Sequence, residues 1–385
     1  MKIAHVCRPL MQPAGTERST IEMACEMVRQ GLEVRIYTPK LSEDLFGGIG
    51  KTVRIEEIGV PTSPLFDFYF DMILAKRLVS EACKWADLLI LHHGHPIASY
   101  AMTRFSKPCI PFYHIDRWDW KMWGQLRSVE PAYTLPLNAL ERKSLREVPI
   151  VFANSQSLAI SIRRLEPRAK VVPITIGVDT SKFSPRWEKD DGFIMMAGRF
   201  HPVNNFELGI GAVTPTDYEL IISGVIDPKS RWYYNRLRSF VSRNGLTERV
   251  ILETNKEDGL IDRLQRCSLF FSPRDFDYLG HAALEPMACG KPVVQLATQS
   301  RIEGDPPIRL CRNDLKEWTN TARDLVDDPT ARSDLGRKSY EFVREKHSLR
   351  ITVSQMLQFA VGLIQNSEGR KIVRDPNSPL TDEVP

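Results

Sequence analysis

The residues best suited to chemistry in this 385-residue chain lie in one short run near position 280. Asp277 lies in a predicted loop, Gly280 and several small residues follow, and Glu285 lies in a predicted short helix. Gly280 lets the backbone approach a ligand closely, and the N–H groups of His281 and Ala282 at the helix start can hold an anion. The two carboxylates are then placed to accept hydrogen bonds from hydroxyl groups beside the anion, which is typical of a bound nucleotide sugar. A small-residue helix packed on a sheet would explain the alanines, but not two carboxylates at this spacing.

Other polar residues follow predicted strands or precede predicted helices. His114 follows the apolar run 108–113, and its neutral imidazole can donate to a sugar hydroxyl or take part in proton movement. Gly15 and Thr16 precede a predicted helix, so the backbone N–H groups there can lie near a phosphate or an acceptor. Arg199 follows another predicted strand, and its guanidinium can bind two phosphate oxygens at once. A histidine bonded to local backbone and an ordinary turn into a helix are the alternatives at the first two sites.

Alternating predicted strands and helices must position these side chains. The apolar run Ile3–Cys7, a helical pattern over 17–30 and a strand over 34–38 form a βαβ unit, and a second series begins at Phe193. The pattern predicts an α/β protein with two domains, which suits the length of the chain. We predict a first domain at 1–185, a charged linker at 186–192, a second domain at 193–348, an amphipathic helix at 349–365 and a polar, disordered tail at 366–385.

Composition narrows the class of protein. Apolar content of 42% and charged content of 26% are those of a soluble globular protein. The net charge of +4 is small for this length and does not indicate nucleic-acid binding. The N-terminus does not have the pattern of a signal peptide, and no uncharged apolar run reaches the ~18 residues of a membrane span. We therefore predict a cytoplasmic protein, in which the seven scattered cysteines are buried free thiols.

Histidines cluster at the end of a predicted strand, at positions 92, 93 and 95. A zinc site would need further Cys, His or carboxylate ligands at a suitable spacing, and the sequence offers none nearby. We therefore expect a strand-end loop that faces a cleft, in which a histidine binds sugar or acceptor hydroxyls. The sequence predicts no metal site.

Three tryptophans, Trp118, Trp120 and Trp123, alternate with the basic residues Arg117 and Lys121. Aromatic rings with basic neighbours suit peripheral contact with an anionic membrane surface, where the rings lie at headgroup level. They equally suit stacking on a sugar acceptor or the packing of a lid. These three interpretations stay open at this stage.

The run from Asp277 to Val294 resembles the donor-binding signature of the retaining family-four glycosyltransferases. That signature is Glu-Pro-Phe-Gly-Leu, three residues, then Glu-Ala-Met-Ala-x-Gly-x-Pro-Val-Val. Asp277 stands where its first Glu is usual, and Glu285 matches its second. The resemblance covers residues 1–365, because further segments resemble family motifs in the family's order, namely the turn 14–18, His114–Asp116, the run 173–185 and Gly198–Arg199.

The resemblance implies the GT-B fold, in which two Rossmann-like βαβ domains face a central cleft and a C-terminal helix crosses back to the first domain. The first domain would bind the acceptor, and the second would bind the nucleotide sugar. It implies transfer of a sugar from a UDP- or GDP-linked donor to a sugar, glycan, lipid-linked or small-molecule acceptor, with retention at the anomeric carbon. No metal cofactor is expected, because helix N-termini and basic side chains take its place. A location at the cytoplasmic face of a membrane is the alternative to a purely cytoplasmic one.

The resemblance also implies roles for individual residues. Arg199 and the amides near Gly280 would hold the diphosphate, and Glu285 would bind the ribose hydroxyls. Asp277 would bind the donor sugar, and His114 would lie beside the reacting carbon.

Several departures surround the same pocket. Asn204 stands where the family carries a lysine, Asp277 replaces a glutamate, and the loop 298–307 lacks the usual double glycine. Asparagine supplies an amide donor but no charge, so Lys291, Arg274 and Lys256 are candidates for the missing cation. These departures motivate a rival reading, a catalytically weak relative that binds nucleotide sugar or assists a partner enzyme. A nucleotide-sugar epimerase is a third possibility, although its usual acid and base residues are not recognisable here.

Overall fold

In the computed structural model of the chain, seven parallel strands form the first sheet: β1 (Lys2–Val6), β2 (Glu33–Thr38), β3 (Arg54–Glu57), β4 (Leu88–His92), β5 (Cys109–Tyr113), β6 (Val151–Ala153) and β7 (Val171–Pro173). Their spatial order is β3-β2-β1-β4-β5-β6-β7. The winding reverses between β1 and β4, so a crevice is expected at the carboxyl ends of these two strands. The structure describes residues 1–11, 15–42, 51–59, 77–92, 107–114, 141–187, 190–226, 230–254, 257–274, 279–297 and 304–373.

The second sheet has six parallel strands: β8 (Ile194–Ala197), β9 (Leu220–Ser223), β10 (Val250–Glu253), β11 (Leu269–Ser272), β12 (Val293–Leu296) and β13 (Arg309–Cys311). Their order is β10-β9-β8-β11-β12-β13, with the reversal between β8 and β11. Most of these strands are buried apolar runs, as expected for a parallel sheet covered on both faces. The predicted pair of Rossmann-like domains is confirmed.

Helices pack on the faces of both sheets. The first, α1 (Gly15–Arg29), ends just before Gly31, whose φ of 84° is the left-handed conformation typical of a helix C-terminus. None of the helices in the described ranges is long and apolar enough to cross a membrane. Further helices include α2 (Gln156–Leu165), α3 (Phe206–Val213), α4 (Arg231–Arg243), α5 (Glu257–Arg266), α6 (His281–Ala288), α7 (Leu315–Val326), α8 (Pro329–Lys346) and α9 (Leu349–Val373).

The last helix, α9, returns to the first domain, as predicted. Leu349, Val353, Met356 and Ala360 are buried in the same core cluster as Ile3 of β1. The helix continues past the predicted end at residue 365, since the sequence contains no proline before Pro376 to stop it. The first domain's core is therefore completed by the C-terminal end of the described chain.

The two segments that pass between the domains are hydrogen-bonded to each other. The Val178 N–H donates to the His347 carbonyl, and the Leu349 N–H donates to the Val178 carbonyl, both at 2.8 Å. Gly177 makes this approach feasible, because a Cβ built on it would lie 2.8 Å from the Leu349 Cα. The domains are thus connected by two chain segments, one at Val178 and one at 347–349, that are hydrogen-bonded to each other.

Candidate active site

The start of α6 supplies backbone donors near the carboxyl end of β11. Gly280 precedes the helix in an extended conformation (φ −88°, ψ 174°), and no side chain caps the helix. The hydrogen bonds of the first turn run from the N–H groups of Ala283 and Leu284 to the Gly280 carbonyl, both at 3.0 Å. Because the first N–H groups of a helix lack intrahelical partners, those of His281 and Ala282 are placed to bind an anion.

Glu285 of α6 is buried at the boundary between the domains. It forms an ion pair with Arg18 of α1, and His281 Nδ1 lies 3.7 Å from its Oε1. Arg18 Nε also lies 3.3 Å from Glu22 Oε1, and its guanidinium lies 5.5 Å from the centre of the Phe183 ring. Glu285, the residue predicted to bind the ribose, is thus held by a cation of the other domain.

Glu17, next to Arg18, carries the opposite charge and interacts electrostatically with Arg199, another residue predicted to form the site. Burial raises the pKa of Glu17, and the charges of Arg199 and Arg8 partly offset that rise. The first turn of α1 therefore sets a carboxylate near Arg199 and a guanidinium against Glu285. Across the crevice, the two domains are complementary in charge.

The first residues of α1 lie opposite the start of α6. A Cβ built on Gly15 would lie 4.0 Å from Cδ2 of His281. The Thr16 carbonyl accepts a hydrogen bond of 2.9 Å from the Thr20 hydroxyl, which holds the first turn of the helix. Two helix N-termini thus approach each other at one place in the crevice.

Arg199 follows β8 in a tightly braced loop. Gly198 has a φ of 151°, and its N–H donates to the Ser223 carbonyl at 3.1 Å. Asn204 is buried, and its side-chain amide donates to the Arg199 carbonyl at 2.5 Å. A Cβ built on Gly224 would lie only 1.8 Å from the Gly198 carbonyl oxygen, so the two loops are in direct contact. Asn204 therefore supports the backbone of the Arg199 loop.

Arg274 is a candidate cation that lies beside this loop. Asn204, Arg274 and Ala282 line one small cavity, together with residues of β8 and β11. Lys291 instead lies just before β12, at the amino-terminal end of that strand, and its charge acts on Asp190. The other predicted candidate, Lys256, lies outside the described residues.

His114 follows β5 and is buried among polar partners. Its carbonyl accepts a hydrogen bond of 2.6 Å from the Asn154 amide, and its Nε2 lies 2.9 Å from Nδ1 of His92. Burial lowers the pKa of His114 to about 3, so its imidazole is neutral at physiological pH. Burial also lowers the pKa of His281 to about 3, and the charges of Arg18 and His114 add to that effect.

The crevice brings together most of the residues predicted to form the site. Sequence reasoning missed Arg18, although it lies in the turn that carries a family-like motif, and it missed His5, a polar residue inside an apolar strand. Asp277, Trp118, Trp120 and Trp123 lie outside the described residues. The predicted residues found at the crevice are Gly15, Thr16, His114, Arg199, Asn204, Gly280, His281, Ala282 and Glu285.

Two parallel sheets, a crevice at their carboxyl edges and a last helix shared with the first domain define the GT-B class of proteins. Residues 13–182 match the family described as Glycosyltransferase Family 4, and residues 178–303 match Glycosyl transferases group 1. These matches follow each other along the two sheets. The chain therefore has the GT-B fold and carries two consecutive regions that match glycosyltransferase families.

Individual proteins resemble this chain at low identity. An uncharacterised glycosyltransferase of Methanocaldococcus jannaschii is 25% identical over 162 residues, covering 41% of this chain and 45% of that protein. The lipopolysaccharide core biosynthesis mannosyltransferase LpsB of Rhizobium meliloti is 24% identical over 273 residues, covering 59% of this chain and 77% of LpsB. The chain thus spans less than half of the first relative and about three quarters of the second.

Solved structures share the fold over nearly the whole chain. Sucrose-phosphate synthase from Thermosynechococcus elongatus has a TM-score of 0.78 at 16% identity, covering 95% of this chain and 100% of that one. Anabaena HepE in complex with UDP has a TM-score of 0.74 at 16% identity, covering 94% and 100%. At these identities the likeness shows the fold alone.

Proposed function

We propose that the protein transfers a glycosyl group from a UDP- or GDP-linked sugar to an acceptor, which is a sugar, a glycan, a lipid-linked saccharide or another small molecule. One observation carries the proposal: the start of α6, Arg199 and Glu285 lie in one crevice between two glycosyltransferase domains. Backbone amides and a guanidinium suit a diphosphate, and a carboxylate suits ribose hydroxyls. Support also comes from LpsB, named a mannosyltransferase, and from HepE structures that hold UDP and UDP-glucose.

Donor binding in this proposal is an exchange of partners. Glu285 exchanges the guanidinium of Arg18 for the ribose hydroxyls, and Arg199 exchanges its electrostatic interaction with Glu17 for the phosphate oxygens. The exchange leaves Arg18 beside Glu22, and it pairs the exposed guanidinium of Arg199 with the charge of the diphosphate, which limits the electrostatic cost of binding.

The reaction we propose proceeds with retention and without a metal ion. The diphosphate leaves as its negative charge is stabilised by preorganised donors, which is commonly a large part of catalysis. His114 and Asp277 would lie beside the reacting sugar, as the family resemblance implies. In relatives the leaving phosphate itself assists the acceptor, so no separate protein base is invoked.

We assign to Arg274 the role of the second cation in the leaving-group site. Asn204 replaces the family's lysine, and its amide is committed to the Arg199 carbonyl. Arg274 lines the same cavity as Asn204 and Ala282, whereas Lys291 lies at the amino-terminal end of β12, away from the strand ends that meet the crevice. A guanidinium at this place restores the charge that asparagine cannot supply.

A second candidate function is nucleotide-sugar binding with little turnover. The buried, uncharged Asn204 favours it, because losing one cation from such a site costs on the order of 3 kcal/mol of transition-state stabilisation. In this case Arg274 would not compensate, and the protein would assist a partner enzyme.

A donor screen separates the two candidates. Purified protein is incubated with UDP- and GDP-sugars, with and without simple sugar acceptors, and the released nucleoside diphosphate is measured. The enzyme proposal predicts release with at least one donor and a product of unchanged anomeric configuration by NMR. Tight nucleotide binding without any turnover would reject it in favour of the second candidate.

A further inference from the structure

Three buried histidines form a continuous hydrogen-bonded chain beneath the candidate site. His5 of β1, His92 of β4 and His114 after β5 come from three adjacent strands of the first sheet. His5 Nδ1 lies 2.8 Å from His92 Nε2, and His92 Nδ1 lies 2.9 Å from His114 Nε2. The rings are stacked, with centroids 5.0 Å and 5.2 Å apart, and exposures are 0%, 2% and 8%.

The inner end of this histidine chain decides its direction. His5 Nε2 lies 3.3 Å from the Sδ atom of Met27, and a thioether accepts hydrogen bonds but never donates them. His5 must therefore carry its proton on Nε2, which leaves Nδ1 to accept from His92 Nε2–H. His92 Nδ1 must then accept from His114 Nε2–H. Every link follows from the one before it, because each contact needs one donor and one acceptor.

Two other roles for the cluster fit the geometry poorly. Two imidazole ligands on one tetrahedral zinc would hold their nitrogens about 3.3 Å apart around a common point. Here the nitrogens are in direct contact, in a line rather than around a centre. A proton relay to solvent also fails, since the inner end is the buried side chain of Met27.

We propose that His5 and His92 are positioning residues that fix His114 as its Nε2–H tautomer, so that His114 Nδ1 is a hydrogen-bond acceptor. The group that meets Nδ1 in the substrate complex must then be a donor. A sugar hydroxyl qualifies, and a phosphate oxygen does not. The role of His114 Nδ1 in substrate binding rests on the proposed function. The tautomer of His114 does not depend on that function.

Burial keeps both ends of the histidine chain, His5 and His114, neutral and so supports the assignment. It lowers the pKa values of His5 and His114 to about 3. A neutral imidazole has one protonated and one bare nitrogen, which is what a one-directional chain requires. A wrong tautomer of a site histidine in a well-studied protease triad costs about 10⁴-fold in kcat, so the choice has consequences.

The tautomer is tested first by two-bond ¹H–¹⁵N correlation NMR on the full-length protein, with signals assigned through His5→Asn and His92→Asn. We expect the Nε2–H form at all three histidines, at neutral pH. The Nδ1–H form at His114 in the wild-type protein would overturn the proposal, whether or not the protein is an enzyme.

Met27→Leu then removes the thioether that sets the direction while conserving side-chain volume. We expect a mixture of His114 tautomers and, if the protein transfers sugar, a fall of about tenfold in kcat with little change in KM for the donor. Met23→Leu, another buried methionine of α1, is the matched control and should change neither. Identical tautomers and rates in Met27→Leu and wild type would overturn the proposal. If the protein turns over no donor, the His114 tautomers of Met27→Leu and wild type alone test the proposal.

Discussion

Arg18 of α1 forms an ion pair with Glu285 of α6, and so joins the first helix of one domain to the helix of the other that we propose binds the diphosphate. The side chains are 18% and 5% exposed, which places the pair in a largely desolvated setting. Glu285 is also the residue expected to meet the ribose. The contact between the domains and the donor recognition that we propose would therefore use the same carboxylate.

A double-mutant cycle on Arg18→Met and Glu285→Gln should show strong coupling. Removing Arg18 deprives the buried Glu285 of that cation, and removing Glu285 leaves Arg18 beside Glu22, so each single change should cost about 2–3 kcal/mol in the free energy of unfolding. The double variant should cost less than the sum, with a coupling of about 1–2 kcal/mol by urea unfolding. Additive effects would show that the pair contributes nothing. The exposed pair Lys84–Glu81 is the control, with an expected coupling below about 0.5 kcal/mol.

Arg199→Ala should weaken donor binding without unfolding the protein. The guanidinium is proposed to meet the diphosphate, and loss of a charge-assisted contact costs roughly tenfold or more in Kd. Calorimetric titration with the donor identified by screening measures the change. Arg243→Ala, an exposed arginine at the end of α4, should bind as the wild type does. Equal affinities in Arg199→Ala and Arg243→Ala would remove Arg199 from the site.

Arg274→Ala should lower kcat/KM by about 10²-fold if Arg274 supplies the charge absent from Asn204. Arg274→Lys should recover part of that loss, because it restores a cation but not the guanidinium geometry. Initial rates of nucleoside diphosphate release give both values. Arg309→Ala, exposed on β13, is the matched control. A fully active Arg274→Ala variant would show that another group neutralises the leaving phosphate.

Three histidines should make the protein unstable in acid. Burial lowers the pKa values of His5, His114 and His281 to about 3, whereas an unfolded histidine titrates near ~6.5. Between these values the unfolded state binds more protons. Stability is therefore fully present above about pH 6.5 and is lost as pH falls toward 3. Three such groups give a slope of about 4 kcal/mol per pH unit near pH 5.

Urea unfolding at about pH 7, 6 and 5 measures that slope. His281→Gln removes one titrating group, so the slope should fall by about a third. A free energy of unfolding that is unchanged between pH 7 and pH 5 would contradict the buried, neutral state of these side chains.

Trp120→Ala and Trp123→Ala should reduce pelleting with anionic liposomes, if the tryptophan-rich segment meets a membrane surface. Trp187→Ala and Trp232→Ala serve as controls, because these tryptophans are about half exposed, 53% and 50%, elsewhere on the protein. Sedimentation with phosphatidylserine vesicles and with neutral vesicles measures the effect. Equal pelleting of all four variants and wild type would leave acceptor stacking or lid packing as the role of the segment.

The fold and part of the site could be predicted because their signals are local. Gly31 marks the end of α1, and the spacing of Gly280 and Glu285 places both at one short helix. The partner of Glu285 could not be predicted in this way, since Arg18 lies 267 residues earlier and the two meet only through the packing of one domain against the other. The hydrogen bond from the Asn204 amide to the Arg199 carbonyl likewise depends on tertiary packing.

The histidine chain shows the same limit within one domain. His92 was recognised as a strand-end residue, but its bonds to His5 and His114 require the strand order β1-β4-β5. Strand order is a non-local property, because it depends on which crossovers pack best rather than on any single segment. The predicted end of α9 at residue 365 was too early, as polar residues without a proline continued the helix to Val373.

The return of α9 has a consequence for synthesis on the ribosome. Leu349, Val353 and Met356 fill a core whose other members, such as Ile3 and Ile21, are made first. The first domain emerges from the ribosome early, but its core stays incomplete until the whole second domain and α9 have been synthesised. The second domain, whose strands and covering helices are contiguous in sequence, can finish before it. Vectorial synthesis would therefore favour completion of the second domain before the first, the reverse of the usual order.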